Sequence, residues 1–213
     1  WLQGDNIQQF VFKEHEGSFL VGMIAAMKSQ TGTVGFVGGM DIPLIRKFHG
    51  GYEQGAKYVN PNINVLMNMT GTTPEAWNNP TKGAELTKAQ VDKGADVVYQ
   101  AAGGTGIGVL QAAADAGIFG IGVDANQNYM HPGSVLTSML KRVDVAVYNA
   151  FKSTMDGTYE TGVFTLGLAE DGVGWALDEH NASLITDEMK EAVEQARKDI
   201  ISGKIIVTDA SAQ

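Results

Sequence analysis

Two hydrophobic periods take turns along this chain. Short, nearly continuous apolar runs, the mark of strands buried on both faces, fall at 33–37, 64–69, 95–100, 119–123 and 135–139. Between them apolar residues recur every three or four positions. Ile42, Ile45, Phe48, Tyr52, Ala56 and Val59 predict a helix over 42–59, and Phe19, Met23 and Met27 predict one over 18–29. Further helices are expected at 80–93 and 107–116, and a strand at 8–12. Such alternation implies a parallel sheet with helical crossovers. The later pattern is less regular. A helix over 143–154 carries Val143, Val147, Ala150 and Phe151 on one face, and strands at 163–168 and 173–177 flank an Asp-Gly turn at 171–172, as in a hairpin. Thr186 is placed to cap a last helix, with Asp187 and Glu188 in its first turn and Met189, Val193, Ala196 and Ile200 as its apolar stripe.

Composition narrows the function. With 213 residues, 44% of them apolar and only 18% charged, the chain can build one large domain or two small ones. A net charge of −9 opposes binding to nucleic acid or anionic membranes, which require clustered Lys and Arg. Absence of cysteine removes disulfides, thiol catalysis and Cys-based zinc sites. His15, His49, His131 and His180 have no metal-ligand spacing, and no G-x-S-x-G is present, so no metal, cofactor or serine nucleophile is expected. No apolar run approaches the ~20 residues of a membrane span.

The candidate chemistry sits at strand ends. Asp124 ends the run 119–123 and Lys141 follows the run 135–139, so both belong at the carboxyl edge of a parallel sheet, where open α/β folds bind ligands. They form either a structural ion pair or a pair that shares the hydroxyls of a polar ligand. The turn AAGGTGIGV, 101–109, has glycines at 103, 104, 106 and 108, which do not fit the dinucleotide fingerprint. Gly103 and Gly104 read either as a tight turn or as backbone open to a neutral ligand. GFVGGMDIP, 35–43, lacks the Lys-Ser/Thr of a phosphate loop. Trp77, in the polar loop TGTTPEAWNNP, is either a lid over core or a stacking platform, with Asn78 and Asn79 beside it. Glu14 and Glu16 flank His15 in FKEHEGSFL, and this run is expected to be a solvated helix start rather than an acid–base cluster.

In their order, FKEHEGSFLVGMIAA, TGTVGFVGGMDIPLIRKFHGGYEQGAK, AWNNPTKGAEL, AAGGTGIGV, GVDANQN and LTSMLKRVD resemble the BMP (basic membrane protein) family of bacterial ABC-transporter substrate-binding proteins, similar to purine nucleoside receptors. The resemblance spans roughly residues 8 to 207. It implies a type I periplasmic-binding fold, two doubly wound α/β lobes joined by three crossovers, with ligand in the cleft. By that likeness residues 1–13 are a remnant of the amino-terminal lobe, 14–124 the carboxyl-terminal lobe, 125–160 a return to the first lobe, and 161–213 a crossover back with the terminal helix. The amino-terminal lobe is expected to be incomplete here, since the chain opens on Trp1 where the family has a leader or lipoprotein sequence and further strands. The helix over 143–154 would then leave its apolar face bare. Implied ligand contacts are Trp77 stacking on a nucleobase, Asp124 and Lys141 on ribose hydroxyls, and Gly103 and Gly104 as backbone approach. Asn79 stands where many relatives have Asp. Implied partners are a purine nucleoside or nucleobase, ABC permease subunits and the missing amino-terminal segment of the same protein, with no cofactor and no nucleic acid. The expected location is periplasmic or cell-surface, with any lipid anchor on the missing amino terminus, and no chemical conversion is expected. A sugar receptor of the same fold, the effector domain of a transcription regulator, and an enzyme such as a nucleoside hydrolase or a sugar-modifying protein are the rival readings.

Overall fold

Strand β2 (Thr33–Met40) lies between β3 (Asn64–Gly71) and β4 (Val97–Ala101), parallel to both. With β5 (Phe119–Asp124), β6 (Val135–Lys141) and β8 (Val173–Trp175) they form a six-stranded sheet of order β3-β2-β4-β5-β6-β8, in which only β8 is antiparallel. The structure, a computed structural model, describes residue 2 and residues 4–212, so Trp1 lies outside the described residues. Alternate side chains go to opposite faces, as the pleat dictates. Val34, Phe36, Val97 and Tyr99 join the larger core beneath α1 (Glu14–Lys28), α2 (Pro43–Val59) and α6 (Asp187–Ile201). Val37 and Val98 join a smaller core with Val109 beneath α3 (Pro80–Val91) and α4 (Thr105–Asp115). A second, two-stranded sheet pairs β1 (Gln8–Phe12) with β7 (Gly162–Leu166) in parallel, next to α5 (Val143–Met155) in the chain. Among the described residues no helix is long and apolar enough to cross a membrane.

The expected elements form with their ends displaced by up to four residues: α1 begins at Glu14, β2 and β6 run on to Met40 and Lys141, and α3 and β8 stop short at Val91 and Trp175. Thr186 accepts the Met189 N–H at 3.2 Å, and Met189, Val193, Ala196 and Ile200 are the buried face of α6. Three readings need correction. First, the stretch 125–160 does not leave the large sheet at once: β6 pairs with β5 from Gly120↔Val135 to Asp124↔Leu140, and the chain departs only after Lys141. Second, β7 and β8 are no hairpin. Asp171 has φ +54° and the Gly172 N–H returns to the Gly167 carbonyl at 2.8 Å, but this turn carries the chain from one sheet to the other.

Third, the start of α1 is buried rather than solvated: Glu14, His15 and Glu16 are 3%, 8% and 9% exposed. Two glycines of α2 bring about this burial, since a Cβ on Gly51 would strike the His15 backbone and one on Gly55 the Phe19 carbonyl. The acidic residues have partners at the crossovers. Glu16 accepts the Leu168 N–H at 2.8 Å and pairs with Lys13 at 3.0 Å, while the Lys13 N–H reaches the Leu166 carbonyl at 2.9 Å. Helix α5 buries only Ala146; Phe151 and Met155 are 70% and 86% exposed, and its apolar face lies bare.

Candidate functional site

The winding direction reverses between β2 and β4, because β3 lies on one side of β2 and all later strands on the other. The crevice beyond such a switch point is where open α/β sheets hold ligands. Trp77, Gly103, Asp124 and Lys141 converge there on one cavity of about 200 Å³, walled by Leu44, Ile45, Phe48, Ala101 and Val123. Lys141 also lines two wider hollows of about 540 Å³, one with Phe10, Phe12 and Glu14, the other with Asp124, Asn126 and Arg142.

Trp77 ends a short 3-10 turn, Pro74–Trp77, that follows β3. The turn is clamped at the carbonyl of Ala76, which accepts the hydroxyls of Thr70 at 2.9 Å and of the fully buried Thr105 at 2.7 Å. Thr105 Oγ1 also accepts the Asn79 N–H at 2.7 Å, which ties the turn to the start of α4. The Trp77 ring lies over Gly39, where a Cβ would fall among the ring atoms. Its inner edge meets Gly103, whose φ of +58° suits glycine. One side of the indole is therefore fixed on the sheet edge while the ring still lines the cavity.

Asp124 ends β5 with φ +63°, a left-handed conformation that Asp tolerates better than most residues. Gln127 fixes the backbone and side chains around it. Its Oε1 accepts the Val123 N–H at 2.9 Å and the Gln100 amide at 2.8 Å, and its own N–H donates to Ser138 Oγ at 2.9 Å. Desolvation raises the half-exposed Asp124 carboxyl from its ordinary value; Lys141 opposes the rise and Glu14 adds to it. Lys141 Nζ stands 3.8 Å from Asp124 Oδ1 and 3.7 Å from Glu14 Oε1. Both distances are ionic contacts too long to be hydrogen bonds. The Phe12 and Phe48 rings flank it, with centroids at 5.6 and 6.0 Å.

Two nominated residues stand apart from the cavity wall. Asn79 caps α3, its Oδ1 accepting the Lys82 N–H at 3.0 Å. Gly104 lies under the Trp77 carbonyl at the start of α4. Sequence reasoning placed Glu14 at a solvated helix start, and it gave Lys47, Phe48, Thr105 and Gln127 no place at the candidate site. Glu14 lies two residues past a strand's carboxyl end, a cue akin to the one that singled out Asp124. The other four carry no local signal, since each is placed by an element remote in sequence. Away from the cleft, Asp178, Glu179 and His180 bring one ligand atom each within 4.8 Å of one another. There Asp178 Oδ2 already accepts the amides of Asn126 at 2.6 Å and Asn128 at 3.0 Å.

The cleft can hold a flat group against Trp77 and bond hydroxyls at Asp124 and Lys141. The family Bmp, described as ABC transporter substrate-binding protein PnrA-like, matches residues 2–211. Basic membrane protein D of Borreliella burgdorferi is 38% identical over 183 residues, 82% of this chain and 51% of that protein. The ABC transporter nucleoside-binding protein BmpA of Lactococcus lactis is 36% identical over 221 residues, covering 95% and 60%. This chain thus spans about half to three fifths of these relatives. A crystal structure of an ABC transporter solute-binding protein from Aeropyrum pernix K1 superposes with a TM-score of 0.83 at 30% identity, over 97% of this chain and 68% of that one.

Proposed function

The chain belongs to this family of ABC transporter substrate-binding proteins, and from that premise we propose that it captures a purine nucleoside or nucleobase beside Trp77 and presents it unchanged to permease subunits. The observation that carries the reading is the cavity that has an indole on one wall and the Asp124–Lys141 pair on another. A base stacked on the indole directs its sugar toward the sheet edge, where the carboxylate accepts and the ammonium donates to ribose hydroxyls. In this reading the six-stranded sheet is one lobe, and the β1–β7 pair with α5 belongs to the other, which closes the cleft from above. The nucleoside-binding relative named above supports the ligand class. We place the protein outside the cytoplasmic membrane, held there by a lipid on the amino terminus of its precursor.

Calorimetric titration of the protein expressed from its complete gene, with inosine, adenosine, adenine and ribose, tests the proposal. Binding of a purine ligand well ahead of ribose is expected. Binding of ribose without any purine ligand would move the protein to the sugar receptors of this fold.

A further inference from the structure

We propose that Glu14 is a positioning residue of this site, its buried carboxylate holding the Lys141 ammonium away from Asp124 so that both groups stay open to ligand hydroxyls. The inference rests on the ligand reading above.

Glu14 opens α1, immediately after the crossover from β1, and its side chain is only 4% exposed. A buried carboxylate requires counter-charge, and here two lysines supply it from different elements. Lys47 of α2 meets Oε2 at 3.0 Å, in an ionic contact without hydrogen-bond alignment. Lys47 is itself anchored, donating to the Phe12 carbonyl at 2.8 Å and facing Asp209 at 3.7 Å. Lys141 of β6 faces the other oxygen, Oε1, at 3.7 Å.

The decisive geometry is the balance at Lys141. Its ammonium stands between Glu14 at 3.7 Å and Asp124 at 3.8 Å, bonded to neither, with Phe12 and Phe48 limiting where else it can go. Two carboxylates at nearly equal distance, the buried Glu14 less screened than the half-exposed Asp124, hold the charge in place and leave its donors free. Without Glu14 the nearest remaining anion is Asp124. The ammonium would close on it into a direct salt bridge, and a nucleoside would have to break that bridge before its ribose could bind. Lys47 keeps Glu14 from turning wholly toward Lys141. The arrangement is therefore specific to the sugar edge of the ligand and has no bearing on the stacked base.

The test uses the protein from its complete gene, with inosine and 2′,3′-dideoxyinosine, which lacks the two hydroxyls. Glu14→Gln should weaken inosine binding about tenfold or more and the dideoxy analogue less than about threefold. In a Lys141→Met background Glu14→Gln should change inosine affinity less than about twofold, because the residue it acts through is gone. Glu14→Asp keeps the buried charge but withdraws it by one methylene, and it should show the same bias if the Gln variant fails to fold. Equal losses for the two ligands, or losses that add in the Lys141→Met background, would overturn the inference and leave the ligand reading intact. A parent protein that binds neither ligand would instead overturn the ligand reading, and this inference with it.

Discussion

Gly39→Ala is the sharpest probe of the stacking wall. Gly39 sits within β2 at an ordinary strand φ, so alanine brings no backbone strain there. Its new methyl would occupy the place of the Trp77 ring atoms Cζ3, Cε3 and Cη2. The ring has to yield, and the Ala76 clamp to Thr70 and Thr105 prevents the whole turn from lifting with it. Overpacking at a well-packed site costs about 1–3 kcal/mol, and a base stacked on an aromatic side chain contributes about 1–3 kcal/mol. If the tilted indole loses most of that stack, affinity for a purine nucleoside falls about 5- to 150-fold. Titration calorimetry reads the loss, and thermal unfolding separates it from general damage. The internal control is Trp77→Ala. With no ring to displace, adding Gly39→Ala should cost less than about twofold more. Parental affinity in Gly39→Ala, or the same loss with and without Trp77, would refute the placement of the ligand against this ring.

Other parts of the molecule make separate predictions. Thr105→Val removes the hydroxyl that serves both the Ala76 carbonyl and the Asn79 N–H, and urea unfolding should report a loss of about 1–3 kcal/mol; an unchanged midpoint would mean water replaces the hydroxyl. Burial lowers both His15 and His49, outweighing the nearby acids that raise them. The unfolded chain therefore takes up protons near the ordinary value of about 6.5 before the folded chain does, and stability is present above that pH and lost as pH falls through and below it. His49→Gln should flatten the decline in thermal midpoint, and a parent midpoint independent of pH over this window would contradict it. On α5, Phe151→Ser and Met155→Gln should leave the stability of this chain within about 0.5 kcal/mol while reducing its binding of a hydrophobic dye; a large loss would show that the face is covered. Asp124, with its carboxyl raised by burial, should lose its role as acceptor at a higher pH than an ordinary carboxylate. Nucleoside affinity should fall on acidification, beginning at a higher pH than for an unshifted carboxylate, and Asp124→Asn should abolish that dependence.

Much of the fold could be read from periodicity because the sheet is parallel and buried. Its strands appear as apolar runs and its helices as stripes, and each needs only local information. Asp124 and Lys141 were legible for the same reason, since a residue at the carboxyl end of a parallel strand is placed by that strand alone. Pairing was not legible. Residues 163–168 and 173–177 look like hairpin strands around Asp171-Gly172, yet their hydrogen-bond partners are β1 and β6, each far away in sequence. The glycines show the same limit. Gly103 is at the ligand edge with positive φ, whereas Gly51 and Gly55 serve the contact between α1 and α2, and composition treats them alike.

The run Lys13-Glu14-His15-Glu16 shows why a charged cluster can mislead. On the usual prior such a run faces water, and nothing within four residues contradicts that. What buries it is the close approach of α2 through Gly51 and Gly55, together with the convergence of three chain segments: the exit of β1, the end of β6 and the return from β7. Each crossover leaves backbone groups outside any sheet ladder, and these require partners when they are covered. Glu16 supplies one to the Leu168 N–H, and Lys47, drawn in by Glu14, supplies one to the Phe12 carbonyl. The acidic pair thus satisfies the passage between the sheets, and the same burial brings Glu14 within 3.7 Å of Lys141. The passage between the sheets and the candidate site share one set of charges, so a substitution at Glu14 has to be judged by which ligand it weakens rather than by stability alone.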